Sequence, residues 1–391
     1  MNYFELDKKY VFQTYKRNPL LFVRGDGKYL YTDSGKKYLD MFSGISVSSV
    51  GYCNPRVVGA IKNQIESLIH LSNLFYSKPQ AELAKALSDA SFGGRVFFSN
   101  SGAEANECAI KLSRKYGNGR YEIISFNNSF HGRTLATISA TGQKKFHKGF
   151  APLLRGFRFA EFNDISSVKK LISSKTGAVI IEPVQGESGI YPADKKFLKD
   201  LRALCDRHDL LLIFDEIQCG LGRTGKMFAY ENYGVTPDVM TLAKSLGGGL
   251  PIGATVAVPK AAAAFRYGDH GSTFGGNPIC CAAALEVLKI IGDKKLLSHI
   301  SETGRYFIGR LTELGRRHKI IKEIRGMGFM VGVELRINGA GIMSDCLENG
   351  LLINCTKDTI LRFLPPFVVD RKDIDTVVAV LDRSLTRASK K

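Results

Sequence analysis

The chain has 391 residues, 44% apolar and 24% charged, a balance that excludes disorder, collagen and coiled coil as its main theme and leaves room for two or three domains of about 150 residues. Its net charge of +18 would attract nucleic acid or acidic partners. The basic residues are nevertheless dispersed, apart from Arg316-Arg317 and Lys390-Lys391, with no interleaved aromatic platform and no zinc-finger spacing, so nucleic-acid binding is not expected as the main function.

The opening MNYFELDKKY mixes acidic and basic residues without an apolar core and is not read as a signal peptide. No apolar run reaches the roughly 18 residues of a membrane helix, and a cytoplasmic protein is expected. Residues 21–50 read as a short meander that turns at Gly25-Asp26-Gly27 and at Asp33-Ser34-Gly35. The middle of the chain then alternates short apolar runs with helical patterns. Residues 95–99, 122–126, 178–182, 210–214 and 239–241 are apolar on both faces, as strands buried in a parallel sheet are. Helices are predicted over 103–116 and 195–208, and the alternation predicts an α/β fold with a mainly parallel sheet. Beyond about residue 285 come two helical segments, strands at 331–335 and 351–354, and a closing helix near 373–388. This layout predicts a large domain over 56–280 and a small α+β domain built from both termini, 1–55 and 281–391. The eight cysteines are scattered without a C-x-x-C pair and read as reduced, mostly buried thiols.

Three phrases carry chemistry. GLGRTGK (220–226) matches a dinucleotide-binding glycine pattern and nearly matches a phosphate-binding P-loop. It opens no long helix, however, and has Met227 where the P-loop needs Ser or Thr. Asp215 closes the run LLLIFD, the end of a strand at which open α/β sheets place ligands; it also suits a turn. Lys244, between an apolar stretch and Gly247-Gly248-Gly249, is either an ordinary surface lysine or one whose desolvation lowers its pKa. Such a lysine is what Schiff-base chemistry requires, and pyridoxal 5'-phosphate also needs an acid at its ring nitrogen, a role open to Asp215. SNSGAE (99–104) offers backbone N–H donors for a phosphate at a helix start, and Phe130 offers a ring to stack.

NSGAEANE (100–107), SFHGRT (129–134), EPVQGE (182–187), DEIQCGLGRTGK (215–226), AKSLGGGLPIGA (243–254) and HGSTFGGNP (270–278) together resemble the class III, ω-amino aminotransferases. The likeness runs from about Tyr15 to the final helix. It implies the fold-type-I architecture of pyridoxal-phosphate enzymes, with Lys244 and Asp215 as catalytic residues. It further implies that Gln218 bonds the ring hydroxyl, that Gly102 and Ala103 hold the phosphate, and that Phe130 stacks on the ring. Thr273, with Ser272 on the substrate side, would reach the phosphate of a neighbouring subunit, making a homodimer the functional unit. Arg133 would take the carboxylate remote from the transferred amine, and Arg362 the α-carboxylate of 2-oxoglutarate. Glu187 would mask Arg362 while an ω-ammonium enters. Read alone, Arg133 is a surface or phosphate-contacting arginine and Glu187 a charge at a helix start.

Ile45 stands where family members that act on ornithine resemble one another in having a tyrosine that contacts the free α-amine. An isoleucine cannot pair a charged amine, so an acylated nitrogen is favoured and N2-acetyl-L-ornithine is the expected donor. Ornithine, 4-aminobutyrate, succinyl-diaminopimelate and a carrier-protein-bound amine are the alternatives. Tyr76 lines the same pocket or belongs to the core. Tyr52-Cys53-Asn54-Pro55 and Ser188 depart from the family phrases without touching an assigned residue.

Overall fold

Every residue of the strands Glu122–Phe126, Thr176–Ile181, Leu211–Asp215 and Val239–Leu242 is buried, which only a sheet covered on both faces allows. In the computed structural model, which describes residues 2–389, they form the centre of a seven-stranded sheet. Its order is Arg95–Ser99, Gly253–Ala257, Val239–Leu242, Leu211–Asp215, Thr176–Ile181, Glu122–Phe126 and Phe157–Ala160. All neighbours pair in parallel except Gly253–Ala257, which is antiparallel to both of its partners. Asp215 therefore ends a central strand, beside the ends of its parallel neighbours.

The covering helices follow from local sequence. Gly102–Tyr116 starts at Ser101, whose Oγ accepts the Glu104 N–H at 3.2 Å, with Glu104 in its first turn and Arg114 and Lys115 in its last. That is the charge order a helix dipole favours. Lys195–Arg207 buries Phe197, Leu198, Leu201, Leu204 and Cys205 along one stripe, which packs in one cluster with Phe126, Ile181 and Phe214.

The two ends of the chain meet. The meander Phe22–Asp26, Tyr29–Thr32 and Lys37–Asp40 gains the strand Leu351–Leu352, parallel to its last member. A second antiparallel sheet, Ile321–Met327, Met330–Leu335, Ile360–Phe363 and Asn354–Thr356, lies C-terminal and carries Arg362. One apolar cluster includes Met41, Leu246, Val287, Val331 and Val377, so the terminal sheets and the central sheet share a core.

Several features differ from the sequence expectation, among them the strands Ile321–Met327 and Ile360–Phe363, which were not expected. Residues 351–354 form no single strand: Leu351–Leu352 and Asn354–Thr356 pair in different sheets. Phe157–Ala160 and Gly253–Ala257 were not expected. The first is an edge strand, half-buried in part, and the second, GATVA, has too few large side chains to stand out. Among the described residues no helix is long and apolar enough to cross a membrane.

Gly253 presses on the turn that opens the Gly102–Tyr116 helix. A Cβ there would stand 2.3 Å from the Ser101 carbonyl oxygen and 2.6 Å from Ser99 Oγ. Backbone, which yields little, is in the way, so Gly253→Ala is expected to destabilise the chain by about 1–3 kcal/mol, seen as a lower urea midpoint at unchanged slope. Gly59→Ala is the control: its Cβ would meet nothing within 4 Å inside the helix Pro55–Ser67, and the midpoint should hold or rise.

Candidate active site

A cavity of about 460 Å³ opens where the central strands end, walled by Asn100–Ala103, Phe130–Arg133, Glu182, Asp215, Gln218 and Lys244. Asp215 is 3% exposed, and a carboxylate so placed needs partners. Its Oδ2 accepts from Asn106 Nδ2 at 2.8 Å and lies 2.8 Å from His131 Nδ1, while Oδ1 accepts from the Ile217 N–H at 3.1 Å. Asn106 is held in turn by Thr241, whose hydroxyl donates to its Oδ1 at 2.8 Å. Glu182 accepts the backbone N–H groups of Phe130 at 3.0 Å and Gly186 at 3.1 Å. Burial pushes its carboxyl up.

Lys244 opens the short turn Lys244–Gly247 with φ of 45°, a left-handed conformation that is strained for any residue with a side chain. Burial holds its ammonium below the ordinary lysine range, opposed by the charges of Glu187 and Asp215. Opposite it, the N-terminus of Gly102–Tyr116 presents the N–H groups of Gly102 and Ala103, which helix geometry leaves without an internal acceptor. Two buried atoms in this wall, His131 Nε2 and Gln218 Oε1, have no hydrogen-bond partner among the described residues. Gly102 and Gly132 leave no spare room: a Cβ would stand 2.9 Å from Ile217 and 2.5 Å from Thr137 Oγ1 respectively. An anion cradle, an unpaired acceptor, a buried carboxylate and a desolvated lysine around one cavity fit pyridoxal 5'-phosphate.

Beyond Gln218 lies an ion pair. Arg362, 2% exposed, donates from Nη1 to Glu187 Oε1 at 2.8 Å and to the Gly186 carbonyl at 3.2 Å, and from Nε to Asn354 Oδ1 at 3.1 Å. Gln218 Nε2 also donates to Glu187 at 3.3 Å. Burial alone would raise the Glu187 carboxyl, but Arg362 and Lys244 bring it below its ordinary range. Arg133 lines the mouth of the cavity, exposed, with its guanidinium 3.8 Å over the Phe146 ring and 5.6 Å over that of Phe130. The described residues give it no ion pair.

The other expected residues lie apart. Thr273 is exposed in a separate hollow with His70, Asn73 and Ser272. Ser272 Oγ accepts from Asn100 Nδ2 at 3.2 Å and from the Gly275 N–H at 2.9 Å. Ile45, half-buried, packs beside Val184, Ile190, Met330 and Leu364; Val47, two residues on, lines the cavity instead. Tyr76 is fully exposed, so the core reading of that residue does not apply within one chain. Sequence reasoning missed Asn106, His131, Glu182 and Thr241. Asn106 had a signal, a polar side chain on the helix face formed by Ala105, Ala109 and Ile110. His131 and Glu182 lay unremarked within SFHGRT and EPVQGE.

Comparison with known proteins extends the geometry to the whole chain. The acetylornithine aminotransferase of Methanocaldococcus jannaschii is 53% identical over 394 residues, covering 100% of this chain and 99% of that one. The succinylornithine transaminase of Yersinia pseudotuberculosis is 44% identical, covering 98% and 96%. Among solved structures, the ornithine aminotransferase of Toxoplasma gondii, described with partial occupancy of PLP at its active site, superposes with a TM-score of 0.95 at 32% identity, covering 99% and 94%. The family model described as aminotransferase class-III matches residues 10–385, and the chain belongs to the class III aminotransferases, enzymes dependent on pyridoxal 5'-phosphate.

Proposed function

We propose that this chain transfers the ω-amine of N2-acetyl-L-ornithine to 2-oxoglutarate, giving N-acetyl-L-glutamate 5-semialdehyde and L-glutamate, a step of arginine biosynthesis. The observation that carries the reading is Arg362 masked by Glu187 behind the cavity while Arg133 stands unpaired at its mouth. A donor whose reacting end is an ammonium needs a locally neutral pocket, and the paired Glu187 supplies it. A dicarboxylate acceptor needs two guanidinium groups. Its α-carboxylate would displace Glu187 from Arg362, while Arg133 takes the far carboxylate in bidentate fashion.

The cofactor, when bound, supplies an electron sink for the carbanion formed at the reacting carbon. Gly102 and Ala103 would hold its phosphate, Phe130 would cover its ring, Gln218 Oε1 would accept from its hydroxyl, and Asp215 would face its ring nitrogen. Lys244 would bind it covalently and carry the proton to and from the substrate carbon. A lysine serves as nucleophile and base only once its proton is lost, and the desolvation at Lys244 favours that loss. Val47 lines the cavity, and Ile45, two residues before it, packs among Val184, Ile190 and Leu364; an apolar wall of this kind would favour a donor with an acylated α-nitrogen over free ornithine.

The proposal includes a cytoplasmic homodimer and the division near residues 55 and 280. Phe12, Leu74, Phe75, Tyr76 and Tyr267 are exposed large apolar groups, the kind of surface a second copy covers. Thr273 would then meet the partner's phosphate.

Turnover of N-acetylornithine, ornithine and 4-aminobutyrate with 2-oxoglutarate, followed as glutamate formed, tests the reading. N-acetylornithine should have the highest kcat/KM, and a higher value for either other donor would reassign the substrate. Lys244→Ala should abolish turnover and the visible absorbance of the loaded protein. Glu187→Gln should leave Arg362 unmasked: kcat/KM for glutamate as donor should rise relative to N-acetylornithine at least tenfold, about 1.4 kcal/mol, and an unchanged ratio would remove Glu187 from the mechanism.

A further inference from the structure

Ser43, Gly44, Ile45 and Ser46 run consecutively at φ of 46°, 61°, 65° and 65°, one turn of left-handed backbone in which three of four residues carry side chains. A β-branched residue is especially ill-suited to that region. Such a turn persists only where its surroundings over-determine it.

The surroundings centre on Arg223, whose side chain is fully buried. Its Nε donates to Ser46 Oγ at 2.9 Å, and Nη2 donates to Ser49 Oγ at 2.6 Å and to Ser43 Oγ at 3.4 Å. Nη1 donates to the carbonyls of Phe329 at 3.2 Å and Pro365 at 2.5 Å, with the Phe367 ring 4.7 Å away. None of these acceptors is a carboxylate. The charge partner of Arg223 is the carboxylate of Asp40, which favours the guanidinium through space without bonding to it; a buried guanidinium held this way is an expensive means of filling space, and an apolar side chain would do so more cheaply. The same network reaches the catalytic lysine: Ser245 Oγ donates to the Ser46 carbonyl at 2.8 Å and lies 2.6 Å from Ser49 Oγ. From the other side Asp40 accepts the N–H groups of Phe42 at 2.7 Å and Ser43 at 2.9 Å. The turn carries an apolar wall beside the site. Phe42 lies 5.6 Å from the Arg362 guanidinium, Phe42 and Ile45 pack on the same apolar cluster of Val184, Ile190, Met330 and Leu364, and Val47 lines the cavity.

We propose that Arg223 is a positioning residue: it holds the left-handed turn 43–46 in register with Lys244, and the apolar wall so fixed makes the pocket discriminate against a donor with a free α-ammonium. The inference rests on the reading of the substrate above. If the wall shifts, water and a charged amine gain entry, so selectivity falls before folding does.

The test is kcat/KM for N-acetylornithine and for ornithine in the loaded wild-type enzyme and in Arg223→Met, Arg223→Lys and Ser49→Ala, with circular dichroism to check folding. The ratio of the two values should fall at least tenfold in Arg223→Met, chiefly through a lower KM for ornithine, with partial recovery in Arg223→Lys. Ser49→Ala, which removes one acceptor of Arg223 and one tether of Ser245, should lower the ratio about threefold; if the Arg223 variants do not fold, this variant decides. An unchanged ratio with both donors losing rate equally would overturn the inference and leave Arg223 a purely structural group. A wild-type enzyme that does not prefer N-acetylornithine would instead overturn the substrate reading; a ratio that still differs between Arg223→Met and the wild type would then support Arg223 as a selectivity-positioning residue, and an unchanged ratio would refute it.

Discussion

In the proposed reaction a cationic donor and a dianionic acceptor use one cavity in turn, and the pair formed by the buried Arg362 and the half-buried Glu187 is the interaction that would permit it. A guanidinium as buried as that of Arg362 favours a counter-charge, because an unpaired ion in a low-dielectric site is unfavourable, whereas Glu187 keeps some contact with solvent. The pair also spans the architecture. Glu187 lies in the turn between the short paired strands Val184–Gln185 and Tyr191–Pro192, just past the central strand Thr176–Ile181, and Arg362 in the C-terminal antiparallel sheet. The two sheets must therefore be held in register to within a hydrogen bond, which the shared apolar core accomplishes.

Around that pair the site is specified by polar networks more than by apolar packing. Asp215 is fixed by Asn106, His131 and a backbone N–H; Glu182 ties the Phe130 loop to the Gly186 loop; Glu216 accepts the N–H groups of Ala229 and Tyr230 at 2.6 and 2.7 Å, and burial pushes its carboxyl up to about 8. Networks satisfied in this way select one arrangement among many. The left-handed residues, Lys244 and the turn 43–46, sit within these networks, where strain can be sustained.

The central strands were legible because burial on both faces leaves an unbroken apolar run, and Asp215 and Lys244 because the first ionisable group after such a run stands out. GATVA (253–257) was not legible, since small residues give no periodic signal, and 351–354 split because pairing across two sheets is a long-range property. The left-handed turn hides in Ser-Gly-Ile-Ser, where only one residue of four suits its backbone. Contacts such as His131 with Asp215, 84 positions apart, have no local trace. Glu187 and Arg362 were placed by resemblance alone, and the roles given to Thr273 and Tyr76 depend on a second chain that one sequence does not describe.

The most direct test of the exchange at Arg362 is a crystal structure of the loaded enzyme with glutarate, a dicarboxylate that cannot react. Exchange at Arg362 would place one carboxylate on Arg362, with Glu187 turned away from it, and the other on Arg133. Glutarate bound in the cavity with the Glu187–Arg362 pair intact would contradict it.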